Sequence, residues 1–125
     1  MRNICFYFQI HQPMRLKRYR FFEIGQDHYY YDDFQTEDRI RKAVEQSYLT
    51  ANRTIAEMIR SSNGKFRCAF SISGVAIEQL EQYAPEVIDS FKELSKTGSV
   101  EFLAEPYAHS LASVFDVNEF ERQVK

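Results

Sequence analysis

The chain has 125 residues, enough for one domain or a piece of a larger one, and for a core that needs no disulfide or metal staple. With 44% hydrophobic and 27% charged residues, 4 Gly and 3 Pro, it is not collagen-like, disordered or a low-complexity linker. The 16 basic residues against 18 acidic ones leave a net charge of -2, so no basic excess draws it to nucleic acid or to an anionic membrane.

Ile4 to Ile10 is a short β-branched and aromatic run. It predicts a strand apolar on both faces, the pattern of a covered parallel sheet. Pro13 ends it. Met14 to about Gln35 has no clean period. Basic residues come first (Arg15, Lys17, Arg18, Arg20), then aromatics and acids (Phe21, Phe22, Tyr29 to Tyr31, Asp32, Asp33). A connection this long is commonly functional. Thr36 is placed as the N-cap of a helix of about six turns, with Ile40, Val44, Tyr48, Ala51, Ile55 and Ile59 as its apolar stripe. Asn63-Gly64 supplies the stop.

Lys65 to Ser73 predicts a second strand, alternating Phe66, Cys68, Phe70 and Ile72 against Arg67, Ala69 and Ser71. A short helix follows Ser73-Gly74 through Leu80. Pro85 opens another at its favoured first position, and Gly98 ends it. Val100 to Ala104 predicts a third strand. Asp116 and Glu119 predict an acidic capping box on a last helix running into Lys125. Strands alternating with helices predict an α/β fold of parallel, right-handed βαβ units. Three such strands leave two open edges, and the last helix reads as interrupted. The expectation is therefore the opening part of a larger domain. Cys5 and Cys68 both lie in apolar runs and are expected as buried reduced thiols. No run suits a secretory leader or a membrane span, so the expected location is the cytoplasm.

In parallel β/α folds, functional groups gather at the carboxyl ends of the strands. His11 and Gln12 follow the first strand, Ser71 and Ser73 end the second, and Glu105, Tyr107 and His109 follow the third. The histidines, at 11, 28 and 109, have no metal-ligand spacing, and no Gly-rich phosphate loop or nucleophile elbow is present. The spacing therefore supports neither a metal site nor a nucleotide-phosphate site. Carbohydrate suits the set better: sugars are held by carboxylates, His, Gln and Tyr, with aromatic rings against their apolar faces. Hydrolysis of a glycoside needs two carboxylates about 5–5.5 Å apart for retention or about 6.5–9.5 Å for inversion. Glu101 and Glu105 are about 13 Å apart on an extended segment, so they are not that pair.

His11-Gln12-Pro13 directly after an apolar first strand resembles the first signature of glycoside hydrolase family fifty-seven. The Arg-rich and Tyr-Asp-Asp loop and the segment Ser47-Tyr48-Leu49-Thr50-Ala51-Asn52 resemble its α-amylase-like members. Gly98-Ser99-Val100-Glu101-Phe102 is similar to its second signature, with Ser99-Val100 in place of the commoner Gln-Leu pair. Tyr107-Ala108-His109-Ser110-Leu111 resembles the segment that follows. The resemblance implies the first three strands of an incomplete (β/α)7 TIM-like barrel, in a retaining α-amylase or 4-α-glucanotransferase acting on α-glucans or maltooligosaccharides without a metal or organic cofactor. It implies that His11 contacts the sugar beside the scissile bond and that Glu101 belongs to the substrate side. Gln12 is grouped with them, and Glu105 and His109 are added from their position. The catalytic Glu and Asp would belong to the third and fourth signatures, outside the matched region. Two rivals are a non-catalytic β/α module that binds sugar or protein, and a metal-dependent barrel deacetylase.

Overall fold

The computed structural model describes residues 4–124. Three strands, β1 (Phe6–Ile10), β2 (Cys68–Ile72) and β3 (Val100–Leu103), form one parallel sheet in the order β1-β2-β3. Between β1 and β2 run α1 (Asp33–Ala43) and α2 (Leu49–Ser61). Between β2 and β3 run α3 (Gly74–Tyr83) and α4 (Pro85–Lys96). Two short helices follow, α5 (Ala112–Phe115) and α6 (Val117–Val124). The predicted parallel β/α units are present, with each strand shorter than its apolar run.

Strand alternation divides the sheet into two unlike faces. Phe8, Phe70 and Phe102 stack on one face, and Phe70 meets Phe91 of α4 edge-on. Here lies the core: Ile40, Val44, Ile55 and Ile59 from the first helical crossover, and Ala76, Leu80, Val87, Phe91 and Leu94 from the second, close over Ile10, Cys68, Phe70 and Val100. Each fully buried aliphatic side chain contributes about 1.5–3 kcal/mol. The opposite face carries Tyr7, Gln9, Ala69, Ser71, Glu101 and Leu103. It is the polar one: the Tyr7 and Ser71 hydroxyls bond across it at 2.6 Å.

Four local expectations are corrected. The cap of α1 is Asp32, whose side chain accepts from the Gln35 amide, and not Thr36. Thr36 sits buried one turn inside the helix, where its hydroxyl donates to Asp32 O at 2.8 Å and accepts from the Arg15 amide at 3.1 Å. The long helix is not uniform, because a π turn at Val44–Tyr48 joins α1 to α2. Its extra residue shifts the phase, so Ala51 is exposed and Asn52 takes the buried position. Cys5 is exposed, because it lies at the open sheet end before β1, while Cys68 is buried as expected. At α6 the capping box is half formed. Asp116 accepts from the Asn118 and Glu119 amides, but Glu119 turns to Arg122 and Gln123. The Asp116 amide already donates to Ala112 O, so nothing is left for Glu119 to accept there. Lys125 lies outside the described residues.

The long connection after β1 is ordered by its own pairing. Leu16 and Tyr31 form an antiparallel bridge, flanked by Lys17 N to Tyr30 O at 2.9 Å and Asp32 N to Arg15 O at 2.8 Å. Tyr19 donates to Tyr29 O, and Lys17 Nζ lies 4.7 Å from the centre of the Tyr29 ring. Phe21 and Phe22 at the tip remain exposed.

Candidate functional site at the carboxyl ends of the strands

The register pairs Gln9 with Ser71 and Ser71 with Leu103. One pleat further along the same face come His11, Ser73 and Glu105. The two-residue period thus brings together three side chains more than thirty residues apart in sequence. His11 Nδ1 lies 2.8 Å from Ser73 Oγ. Ser73 is 0% exposed and is the N-cap of α3, but its hydroxyl makes no cap bond and serves the histidine instead. The turn after β3 then adds His109, whose ring centre lies 4.8 Å from that of His11 with 32° between the planes.

His109 Nδ1 is 3.0 Å from Glu105 Oε1 and 3.2 Å from the Gln9 amide nitrogen. The Glu105 side chain is only 6% exposed, against 42% for His109. Its second oxygen, Oε2, is buried without a hydrogen-bond partner among the described residues. A buried carboxylate oxygen left unpaired costs on the order of 1–3 kcal/mol, more when charged, and such groups are rare outside functional sites. His109 also holds a left-handed backbone, φ 51°, a conformation that costs energy in a non-glycine residue and concentrates at functional sites. The His11 imidazole is held below the ordinary histidine range, first by burial and then by the neighbouring His109, with Glu105 opposing.

The turn bearing Glu105 and His109 is fixed from two sides. The Tyr107 ring lies against Gly74 at the start of α3, its hydroxyl donates to Glu78 Oε2 at 2.5 Å, and its carbonyl accepts from the Val75 amide at 3.1 Å. From the other side, the Tyr107 amide donates to Gln123 O of α6 at 3.0 Å.

Of the residues named from sequence, His11, Glu105 and His109 converge. Gln12 does not join them: its side chain donates to the Tyr48 hydroxyl at 3.0 Å, and its carbonyl accepts from Gln79 at 2.6 Å. Glu101 shares their sheet face but lies two pleats back, beside Ala69, in a cleft at the amino ends of the strands with Cys5, Arg67 and Ser99. Ser73 and Gln9 also belong to the cluster; Ser73 is named above only as ending the second strand, and Gln9 is not named as a site residue. Their signal was the alternation itself, extended one residue past each strand. Among the described residues, no group of three or more His, Cys, Asp or Glu side chains is arranged to hold a metal ion, and no helix is long and apolar enough to cross a membrane.

The sequence profile of Glycosyl hydrolase family 57 matches residues 5–125. The chain belongs to Glycosyl hydrolase family 57. It is 36% identical over 121 residues to a protein of Methanocaldococcus jannaschii named "Putative alpha-amylase". That alignment covers 93% of this chain and 25% of the relative, so the chain spans about a quarter of the relative's length. No solved structure matches it. The family match covers all three strands and the whole His11–Ser73–Glu105–His109 cluster.

Proposed function

We propose that this chain is the amino-terminal part of the catalytic barrel of a retaining, α-amylase-like glycoside hydrolase acting on α-glucans. The observation that carries the reading is the family match across the entire rim where His11, Glu105 and His109 converge. The name of the archaeal relative adds the α-glucan class. In this reading the chain positions the sugar. His11 and His109 bond its hydroxyls, Glu105 holds His109, and Glu101 lines the same face deeper in the barrel. Elsewhere in the enzyme a Glu attacks the anomeric carbon, and an Asp protonates the leaving oxygen and then takes a proton from water.

The test is cleavage of maltoheptaose by the whole gene product, with the anomer of the first product followed by proton NMR. The expected outcome is the α-anomer first, and a drop in kcat/KM of about tenfold or more for His11→Ala, equal to about 1.4 kcal/mol of transition-state stabilisation, in a variant whose circular dichroism shows it folded at the assay temperature. An unchanged rate, or a β-anomer first, overturns it. The 125-residue chain alone is expected to be inactive. Turnover by a pure sample, abolished by Glu101→Ala, would place the chemistry inside this chain.

A further inference from the structure

We infer that Ser73 and Glu105 hold His11 and His109 in opposite neutral tautomers, so that the paired rings offer one hydrogen-bond donor and one acceptor to adjacent hydroxyls of a glucosyl unit. The inference rests on the glucan reading above only for the identity of the ligand.

The polarity follows from the neighbours. Ser73 is fully buried, and His11 Nδ1 is the one acceptor its hydroxyl reaches among the described residues. A buried hydroxyl gives its proton to the acceptor available. Nδ1 of His11 is therefore the bare nitrogen, and Nε2 carries the hydrogen. At His109 the neighbour is an acid. A carboxylate only accepts hydrogen bonds, so the hydrogen between them sits on the ring. Nδ1 of His109 donates to Glu105 Oε1, and Nε2 keeps its lone pair. The same Nδ1 cannot also accept from Gln9, so the Gln9 amide must turn its oxygen to the ring, a choice between two nearly equivalent orientations.

Neither Nε2 bonds to another described residue, whereas both Nδ1 atoms are engaged. Each ring is thus anchored by one nitrogen and presents the other. The rings are tilted by 32° with centres 4.8 Å apart. The free N–H and the free lone pair thus belong to neighbouring rings of one cluster. Adjacent sugar hydroxyls match such a pair, since one accepts while its neighbour donates. Two rings of the same tautomer would leave one hydroxyl mismatched. Glu105 is accordingly a positioning residue that acts through His109.

The test is a long-range proton–nitrogen correlation spectrum of the chain carrying 15N-histidine, at about pH 8, well above the ordinary imidazole value of about 6.5. Signals are assigned with His11→Gln and His109→Gln. The expected result is hydrogen on Nε2 of His11 and on Nδ1 of His109. In Glu105→Ala, His109 should move to the Nε2–H form while His11 stays. The same tautomer on both rings of the unaltered chain overturns the inference, whether or not the variant folds. Added maltotriose should shift both Nε2 signals together. Opposite tautomers that ignore maltotriose overturn the diol recognition. If the whole gene product then still cleaves maltoheptaose, the glycosidase reading survives without it.

Discussion

A Cβ on Gly74 would lie 2.2 Å from Cδ2 of the Tyr107 ring, with two more ring carbons within 3.0 Å. No real Cβ contact is that short, so the position admits no side chain while the ring stays. The requirement is one of space. Gly74 has ordinary negative φ and begins an α-helix, where alanine would otherwise be the better residue. Gly74→Ala is therefore expected to destabilise the fold by about 1–3 kcal/mol, the usual cost of overpacking, read from urea unfolding. Tyr107→Ala in the same chain should recover most of that loss. If the double variant is as unstable as the single one, the ring is not what the methyl meets. This contact was not legible in the sequence, because Gly74 and Tyr107 are far apart in the chain and glycine at a helix start has many causes. His11, Glu105 and His109 were legible, because the rule that sites form at the carboxyl ends of parallel strands needs only the strand positions. The same rule pointed to Gln12, whose side chain bonds to the Tyr48 hydroxyl instead of joining the cluster.

At the scale of elements, the tie between the β3–α5 turn and α3 is a titratable one. The Glu78 carboxylate pushes the Tyr107 phenol up to about 12, with burial adding to it. A phenol raised in the folded state keeps its stabilising bond below the ordinary value of 10.0. That contribution falls as the pH climbs from there through about 12, because the folded chain holds the proton that the unfolded chain has lost. Tyr29 is raised to about 12 in the same way by Asp33. An alkaline absorbance titration should thus show two phenols ionising near 12, and Glu78→Gln should leave one. If the variant still shows two, the bond to Glu78 is not the cause. Other element-level features show where sequence reading stops. Helix existence followed from the spacing of Ile40, Val44, Ile55 and Ile59. The cap went to Asp32 because the bridge between Leu16 and Tyr31 brings the chain into the helix earlier than Thr36. The π turn carries no sequence mark, because it adjusts the phase between two faces that pack on different partners.

For the whole molecule, the parallel three-strand order was readable from the alternation of strands and helices, and so was the consequence that the sheet has open edges. Helices α1 to α4 close one face only. The other face exposes Tyr7, Gln9, Glu101 and Leu103, and the outer edges of β1 and β3 are unpaired among the described residues. Unpaired edges beside exposed apolar side chains are templates for pairing with another chain. Leu103, 43% exposed, sits on that face at the end of the edge strand β3. The net charge of -2 is too small to keep copies apart. The 125-residue chain is therefore expected to associate as its concentration rises, seen as an increasing weight-average sedimentation coefficient. Leu103→Lys should suppress the association, since a charge on an edge strand is costly to bury against a second copy. The substitution leaves the helix-side core untouched and should leave the unfolding midpoint nearly unchanged. A chain that sediments as one species at every concentration would mean that the twist of three strands protects the edges well enough without a partner.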